Sequence, residues 1–433
     1  MAGTPHGLSG LNSNRLAPWF MALSIRSHPW LALVVTIAVA GLAFTGYSAA
    51  RHFAAPRDLP PGVTAVRYAR AARAFEIEFG RKPDQADTLR WLGEWAAGER
   101  DLPTALACFE RISSDHARQG HTARYQQGQV LLNLDRAAAA ESQLREFLEL
   151  ERQAPQETAA HRVDARQRLR YLLEVQLRLE ERRELLGEMI ERNEGDAFDD
   201  MTFCFPTLLR WHGENAAAKL NDFLKKDPAN LNLRVARARY LTAQGRLDDA
   251  QAILEECCAG QPGHLPAWAA LLDCLRERNQ WAAMAEVVDR LPAAADGEPW
   301  LLSRLRGHVA NDQKCYSDAI AHFERVLKAD PACAECYLGI ASACALLNEG
   351  KRRSQALRVA IVLARIQNRL GAVEADLTSP EMFVEIAEMC ANIDLIAQAR
   401  IMARRALILQ PGNSRAQAVH DRLRSVAPPV GIK

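Results

Sequence analysis

The sequence has few aromatic residues, almost no net charge and hardly any runs of alternating β-branched residues. Aromatic residues make up 6% of the 433 residues, and the formal net charge is +1. A sheet-rich fold is disfavoured, because half-buried strands require such alternation. A chain that coats nucleic acid as a whole is also disfavoured, since phosphate neutralisation needs a concentrated excess of Lys and Arg.

Motifs that carry catalysis are missing as well. The sequence contains no HExxH, no GxSxG and no GxGxxG pattern, and Glu349–Ser354 (EGKRRS) lacks the preceding glycine of a phosphate-binding loop. We therefore expect no enzyme, no cofactor and no small-molecule substrate. The alternative is a transferase site on a repeat scaffold, which would need a compact catalytic domain beyond the repeats.

Cysteines do not form the pattern of a disulfide-rich domain, although there are ten of them. Cys333 and Cys336 make the only CxxC, and zinc needs about four ligands. Small apolar packing is the favoured interpretation. A composite metal site that also uses Cys315 and Cys344, in a metal- or redox-responsive adaptor, is the alternative.

The composition favours helices. Apolar residues make up 48% of the sequence and charged residues 25%, and Ala, Leu, Arg and Glu are prominent. Residues 30–50 (WLALVVTIAVAGLAFTGYSAA) carry no charge. At about 1.5 Å per residue, such a helix covers the roughly 30 Å apolar core of a bilayer. We predict a single transmembrane helix here, after a disordered tail at 1–29. A buried globular helix and a signal peptide cleaved near Ser48 are the alternatives.

The side of the membrane stays open. Arg15 and Arg26 precede the segment while Arg51 and Arg57 follow it, so the positive-inside comparison is balanced. Many cysteines at expected helix-interior positions favour a reducing compartment. The localisation we predict is a single-pass membrane protein.

Prolines after amphipathic stretches indicate repeats. Pro228, Pro262, Pro331 and Pro411 each follow such a stretch. Two short antiparallel helices with their turns take up roughly 34 residues, and the interval from Pro228 to Pro262 has that length. The spacing therefore predicts stacked helical hairpins.

The pattern resembles the tetratricopeptide repeat family, whose unit has small and large apolar residues at fixed places and a closing proline. The matching residues are Leu89, Leu92, Gly93, Ala105 and Phe109; Gly128, Ala140 and Leu144; Ala250, Leu254 and Pro262; Trp268, Leu271 and Val288; Gly307, Ala319, Phe323 and Pro331; and Ala399, Ala403 and Pro411.

This resemblance implies an all-α, right-handed α-solenoid over residues 86–426, after a linker and first helix at 51–85 and before a tail at 427–433. Irregular units are expected near 156–206 and 350–380. The resemblance also implies a concave groove that binds a protein or peptide.

Charge is distributed unevenly. Glu174–Asp200 contains ten acidic and four basic residues, whereas Lys351–Lys433 contains thirteen basic and seven acidic residues. Solvated outer faces of long helices explain this most simply. The sharper hypothesis is a basic surface for an acidic peptide, built from Arg352, Arg353, Arg358, Arg365, Arg400, Arg404 and Arg405.

The sequence therefore predicts a membrane-tethered, non-catalytic scaffold that binds a protein or peptide partner and no nucleic acid. Its place would be an envelope-associated assembly or a secretion complex.

Overall fold

The computed structural model describes five stretches of the chain: residues 55–155, 159–206, 214–291, 298–371 and 377–424. Within them every regular element is a helix, and twenty helices are present, which confirms the all-α prediction. The segment predicted to cross a membrane, 30–50, lies outside the described residues. In the five described stretches, no helix combines the length and apolar character needed to cross a membrane.

The helices form two compact units that divide between Gln119 and Gly120. In the first unit, Asp84 and Asp87 form a capping box at a helix start, and the guanidinium of Arg81 donates a 2.9 Å hydrogen bond to the buried Asp87. The described helices of this unit are α1 (Ala65–Phe79), α2 (Gln85–Gly98) and α3 (Leu102–Glu110).

The second unit contains the remaining seventeen helices of the described residues: α4 (Gly120–Asn133), α5 (Ala137–Gln153), α6 (Ala159–Val175), α7 (Leu179–Glu191), α8 (Ala197–Cys204), α9 (Glu214–Lys226), α10 (Leu231–Ala243), α11 (Leu247–Gly260), α12 (Leu265–Glu277), α13 (Trp281–Arg290), α14 (Trp300–Asp312), α15 (Tyr316–Ala329), α16 (Ala334–Leu346), α17 (Gly350–Gly371), α18 (Pro380–Ala391), α19 (Ile396–Leu409) and α20 (Ser414–Arg424).

One tight turn recurs between the two helices of a hairpin. Its central residue has a left-handed backbone, with φ between 52° and 76°, and lies two positions before the second helix. The backbone N–H of the following residue then reaches back to the first helix, as from Arg246 to the carbonyl of Leu241 at 2.9 Å. In the described residues this turn occurs at Arg100, Asp135, Leu177, Gly245, Asn279, Lys314, Asn348 and Asp394.

Prolines and glycines occupy the places that the repeat pattern predicts. The four prolines named above, at 228, 262, 331 and 411, each follow the last residue of a helix by two positions. A Cβ placed on Gly307 of α14 would lie 2.7 Å from Cε1 of Phe323 on α15. Only a glycine lets the two helices approach this closely.

Successive hairpins pack side by side through their first helices. Helix α10 contacts α12, α12 contacts α14, and α14 contacts α16. Buried apolar side chains fill the space between the hairpins, among them Leu254, Leu272 and Leu302. The first helices therefore form a continuous surface, which we call the first-helix surface.

The stretch 159–206 departs from this pattern. Helices α6 and α7 form a hairpin with the recurrent turn at Leu177. Helix α8 then packs against α19, the second-last helix of the described residues. Met201, Cys204 and Phe205 are buried in the same apolar cluster as the side chains of α18 and α19.

Candidate functional site

The main pocket of interest lies between α7 and the first-helix surface, within the second unit. Its volume is about 490 Å³. The walls come from α7 and α8 on one side and from α10, α12 and α14 on the other. We call it the arginine pocket because four of its lining residues are arginines: Arg182, Arg183, Arg239 and Arg304.

Polar contacts hold α7 in place over the first-helix surface. The backbone N–H of Leu301, at the start of α14, donates a 3.1 Å hydrogen bond to Oε1 of Glu180. Burial raises the pKa of Glu180, although the backbone N–H groups of Leu301 and Trp300 oppose this rise. A carboxylate at a helix N-terminus is favoured by the backbone dipoles.

Two arginines of the pocket bind carbonyl oxygens. Arg239 donates a 2.8 Å hydrogen bond to the carbonyl of Leu177. Arg183 donates to the carbonyl of Phe203 at 3.2 Å and to that of Ala329. Neither guanidinium has a carboxylate within the 4.0 Å ion-pair distance among the described residues.

The carboxylates of the pocket already have cationic partners. Asp273 lies 3.1 Å from Arg276 and 3.5 Å from Arg304, and Glu277 lies 2.8 Å from Arg276. Arg276 does not line the pocket. Arg182 has a carboxylate partner too, Glu174 at 3.3 Å, so Arg183 and Arg239 are the two lining arginines without one at ion-pair distance among the described residues.

Another carboxylate extends this network beyond the pocket. Glu335 on α16 lies 3.2 Å from Arg304, 3.0 Å from Arg276 and 2.8 Å from Nε2 of His308. Burial alone would raise the pKa of Glu335, but the contact with His308 and the charges of Arg304 and Arg276 outweigh burial and lower the pKa to about 2. Glu335 is therefore an anion at neutral pH.

The CxxC cysteines lie at the start of α16 and are fully buried. Cys333 is the N-cap residue of that helix. A hydrogen bond between Cys333 and Cys336, together with burial, raises the pKa of the Cys336 thiol. Within the described ranges, no group of three or more His, Cys, Asp or Glu side chains is arranged to hold a metal ion. All ten cysteines are described, all are free thiols, and nine are buried.

The predicted arginines fall on two different second helices of hairpins. On α17, Arg352 pairs with Glu324 at 2.5 Å, and Arg358 donates to the carbonyl of Asn392 at 2.8 Å. Arg353 and Arg365 are exposed. None of these four side chains lines the arginine pocket.

On α19 the predicted arginines contact other parts of the same unit. Arg405 pairs with the buried Asp200 at 2.7 Å. Arg404 donates to the carbonyl of Ile190 at 3.2 Å, and Arg400 donates to the carbonyl of Leu423 at 2.6 Å. The role of all seven arginines in partner binding stays a prediction.

Two of them also line a shallower cleft, which we call the C-terminal cleft. Arg400 and Arg404 face it together with His420 and Arg424, around a volume of about 350 Å³. The structure thus brings some of the predicted arginines together, although Arg404 already donates to the chain's own backbone.

The four arginines of the arginine pocket were missed by sequence reasoning. Arg182 and Arg183 belong to the stretch whose balance is acidic, and Arg239 and Arg304 belong to no cluster that the charge pattern singled out. The only available signal was positional: Arg239 and Arg304 lie on first helices, which line the groove in stacked hairpins.

Comparison with known proteins finds a family match for one part of the chain. Residues 241–305 match the family model for the tetratricopeptide repeat, from the end of α10 to the first half of α14. No curated protein matches the sequence.

Solved structures resemble the chain weakly. Human IFIT1 with PPP-AAAA is 12% identical, with 83% of this chain and 94% of that chain covered and a TM-score of 0.32. A tetratricopeptide repeat protein from Parabacteroides merdae is 12% identical, with 60% and 98% covered and a TM-score of 0.27. YrrB, described as a TPR protein with an unusual peptide-binding site, is 13% identical, with 47% and 99% covered and a TM-score of 0.25.

These identities and TM-scores carry no argument about what this chain binds. The recurrent hairpin turn occurs twice within the matched residues 241–305, at Gly245 and at Asn279. Throughout its described residues the chain is therefore built of helices that pair as hairpins, and its residues 241–305 match the tetratricopeptide repeat model.

Proposed function

We propose that the chain is a non-catalytic scaffold that binds a protein or peptide partner at the arginine pocket and is tethered to a membrane through residues 30–50. Stacked hairpins characteristically bind extended peptides or helices on the surface that their first helices form. The tether rests on the uncharged sequence of residues 30–50.

One observation supports the binding surface most directly. The arginine pocket is lined by three consecutive first helices, α10, α12 and α14. A bound segment would therefore contact several hairpins at once. The volume of about 490 Å³ lies within the roughly 300–1,000 Å³ that ligand pockets occupy.

Site-specific photocrosslinking tests this proposal. A photoreactive phenylalanine analogue replaces Glu277, an exposed residue that lines the pocket, in the full chain in its native membrane. The matched control carries the same analogue at Ala252, an exposed residue on the second helix α11. We expect a discrete crosslinked partner from position 277 and none from position 252. No adduct at position 277, or the same adducts at both positions, would count against the proposal.

A further inference from the structure

Two arginines of the arginine pocket, Arg183 and Arg239, have no carboxylate within ion-pair distance in the described part of the protein. Resting on the proposed function, we propose that the pocket is an anion-binding subsite that takes a carboxylate of the bound peptide. Its central groups are Arg183 on α7 and Arg239 on α10. A guanidinium offers two parallel N–H groups to a carboxylate, which makes this pairing both strong and directional.

Charge and burial argue for a ligand at these two residues. Burial lowers the pKa of both guanidiniums, yet an arginine side chain stays charged in proteins. The carboxylates that act on them do so from beyond ion-pair distance: Asp330 on Arg183, and Asp273 and Glu180 on Arg239. Arg183 and Arg239 are half-buried, and a partly desolvated cation without a close counterion is unfavourable, so an entering anion would be stabilised.

The surroundings also fit a carboxylate next to an apolar side chain. The Thr202 side chain is buried, and its hydroxyl has no hydrogen-bond partner among the described residues. It lines the same pocket, as do Leu186 and Leu305. The two lining carboxylates, Asp273 and Glu277, pair with Arg276, which limits their competition with an entering anion for Arg183 and Arg239. An acidic peptide with interspersed leucines matches this chemistry.

Other clefts of the second unit fit an acidic peptide less well. A cleft of about 640 Å³ between α5, α6 and α7 is lined by five arginines and five glutamates, so it has no preference for an anion. The C-terminal cleft is basic, but only α19 and α20 line it, so a bound peptide would contact fewer helices there than in the arginine pocket. The experiment must therefore distinguish binding at the C-terminal cleft from binding at the arginine pocket.

The position of the two arginines gives a second consequence. Because Arg183 and Arg239 lie on opposite walls, a carboxylate between them would tie α7 to α10. Ligands that bind only the folded state raise its stability. An acidic peptide should therefore raise the thermal unfolding temperature of the full chain, and its neutral counterpart should not.

The test measures the fluorescence anisotropy of two labelled, C-terminally amidated peptides, Glu-Leu-Glu-Leu-Glu and the isosteric, neutral Gln-Leu-Gln-Leu-Gln, on the purified full chain. We expect the acidic peptide to bind at least about tenfold more tightly, as one charge-assisted hydrogen bond implies. The double variant Arg183→Gln, Arg239→Gln should abolish this ratio. A charge-matched control, Arg70→Gln with Arg73→Gln on exposed positions of α1, should retain it.

A further variant covers the case in which the double variant fails to fold. Arg239→Lys keeps the positive charge and loses the planar fork, so we expect a several-fold weaker acidic peptide with unchanged circular dichroism. Wild-type affinity in this variant would count against a carboxylate held by Arg239.

Three results would overturn the inference. The first is that the double variant still prefers the acidic peptide over the neutral one. The second is that Arg400→Gln with Arg424→Gln abolishes this preference, which would assign the site to the C-terminal cleft. The third is equal thermal stabilisation by inorganic phosphate, which would indicate a small free anion as the ligand. Partner capture from position 277 that survives the double variant would leave the scaffold proposal intact while this inference fails.

Discussion

Close packing between hairpins depends on residues that lack a side chain. Phe323 on α15 is fully buried and lies between Gly307 of α14 and Gly339 of α16, so that a Cβ on either glycine would collide with its ring. Gly93 faces Phe109 and Gly128 faces Leu144 in the same way. The second helix of a hairpin thus packs into space left open by the first.

Replacing Gly307 by alanine should destabilise the protein by about 1–3 kcal/mol, the usual effect of overpacking a core. The added Cβ would lie 2.7 Å from the Phe323 ring, which has no room to move because it is buried on both sides. The measurement is the urea midpoint of the full chain. The control is Gly260→Ala, where no atom lies within 4 Å of the new Cβ; equal destabilisation by both changes would contradict the packing argument.

The network around Glu335 predicts a pH dependence. Its folded-state pKa of about 2 lies below the ordinary 4.5, so its contribution to stability is complete above pH 4.5 and is lost as the pH falls toward 2. Glu335→Gln should therefore make unfolding less sensitive to acid in that range. Urea midpoints at several pH values measure the effect, with Glu78→Gln at an exposed position as the control. An acid profile identical to that of the wild type would remove the assigned role.

Sequence reasoning reached some residues and missed others for a physical reason. The pairs Gly93–Phe109, Gly128–Leu144 and Gly307–Phe323 all have the same spacing along the chain, so a repeat pattern predicts them, and the structure confirms their contact. Arg183 and Arg239 meet in one pocket only through tertiary packing. No local period connects them.

Among the helical elements, the recurrent left-handed turn sets how each hairpin closes. Four of its residues, Gly245, Asn279, Lys314 and Asn348, follow one another at the length of one repeat unit, roughly 34 residues. Of these four, only Gly245 is free of the steric penalty that a Cβ carries in this conformation, roughly 1–2 kcal/mol. The same backbone shape recurs at non-glycine residues because the surrounding helices impose it.

Gly245→Ala should accordingly destabilise the chain by about 1 kcal/mol. No atom lies within 4 Å of the position that the new Cβ would take, and φ is +76°, so the effect would come from the backbone alone. Gly260→Ala, at the end of α11 and equally free of neighbours, should leave stability unchanged or slightly raised. Chemical denaturation of both variants gives the comparison, and a neutral result at position 245 would contradict the role of the turn.

The contact between α8 and α19 contains a buried ion pair. Asp200 is fully buried and Arg405 nearly so, with 2.7 Å between Oδ2 and Nε. Arg405→Met would leave Asp200 without its closest cation, and breaking a buried pair in this way costs about 3–5 kcal/mol.

The measurement for this pair is the urea midpoint. The control is Arg353→Met at an exposed position of α17, and its free energy of unfolding should stay within about 0.5 kcal/mol of the wild type. A change at position 405 as small as that of the control would show that α8 does not depend on the pair.

The ends of the elements were predictable, but their long-range partners were not. The prolines at 262, 331 and 411 follow the helix ends as predicted. The stretch 156–206 was predicted only as an irregular unit, and its contact with α19 could not be derived. Such a contact depends on how the hairpins between them stack, which no local pattern encodes.

On the scale of the whole molecule, the all-helical fold and its hairpins were predicted from repeat spacing and composition. The right-handed curvature and the irregular unit at 350–380 stay predictions, and the side of the membrane stays open. The family match covers residues 241–305, whereas the resemblance read from the sequence extended over most of the chain. The hairpin turn itself continues on both sides of the match, at Asp135 and Leu177 before it and at Lys314, Asn348 and Asp394 after it.

Membrane attachment is tested most directly by deletion. A chain that lacks residues 1–50 should move from the membrane pellet to the supernatant, since residues 30–50 are the proposed tether. Deleting only 1–29 should leave the protein in the pellet after extraction with alkaline carbonate. A full chain found in the supernatant, or a mature N-terminus near Ser48, would contradict the tether.

The packing of α8 on α19 has a consequence for synthesis. When α8 and Phe205 have been synthesised, the whole stretch from 206 to 409, which ends with α19, is still to be made. Met201 and Phe205, which are buried in the finished protein, lack their final neighbours during that time. Apolar surface that stays exposed in this way promotes aggregation. A nascent chain halted before Ile396 would therefore be a natural client for chaperones.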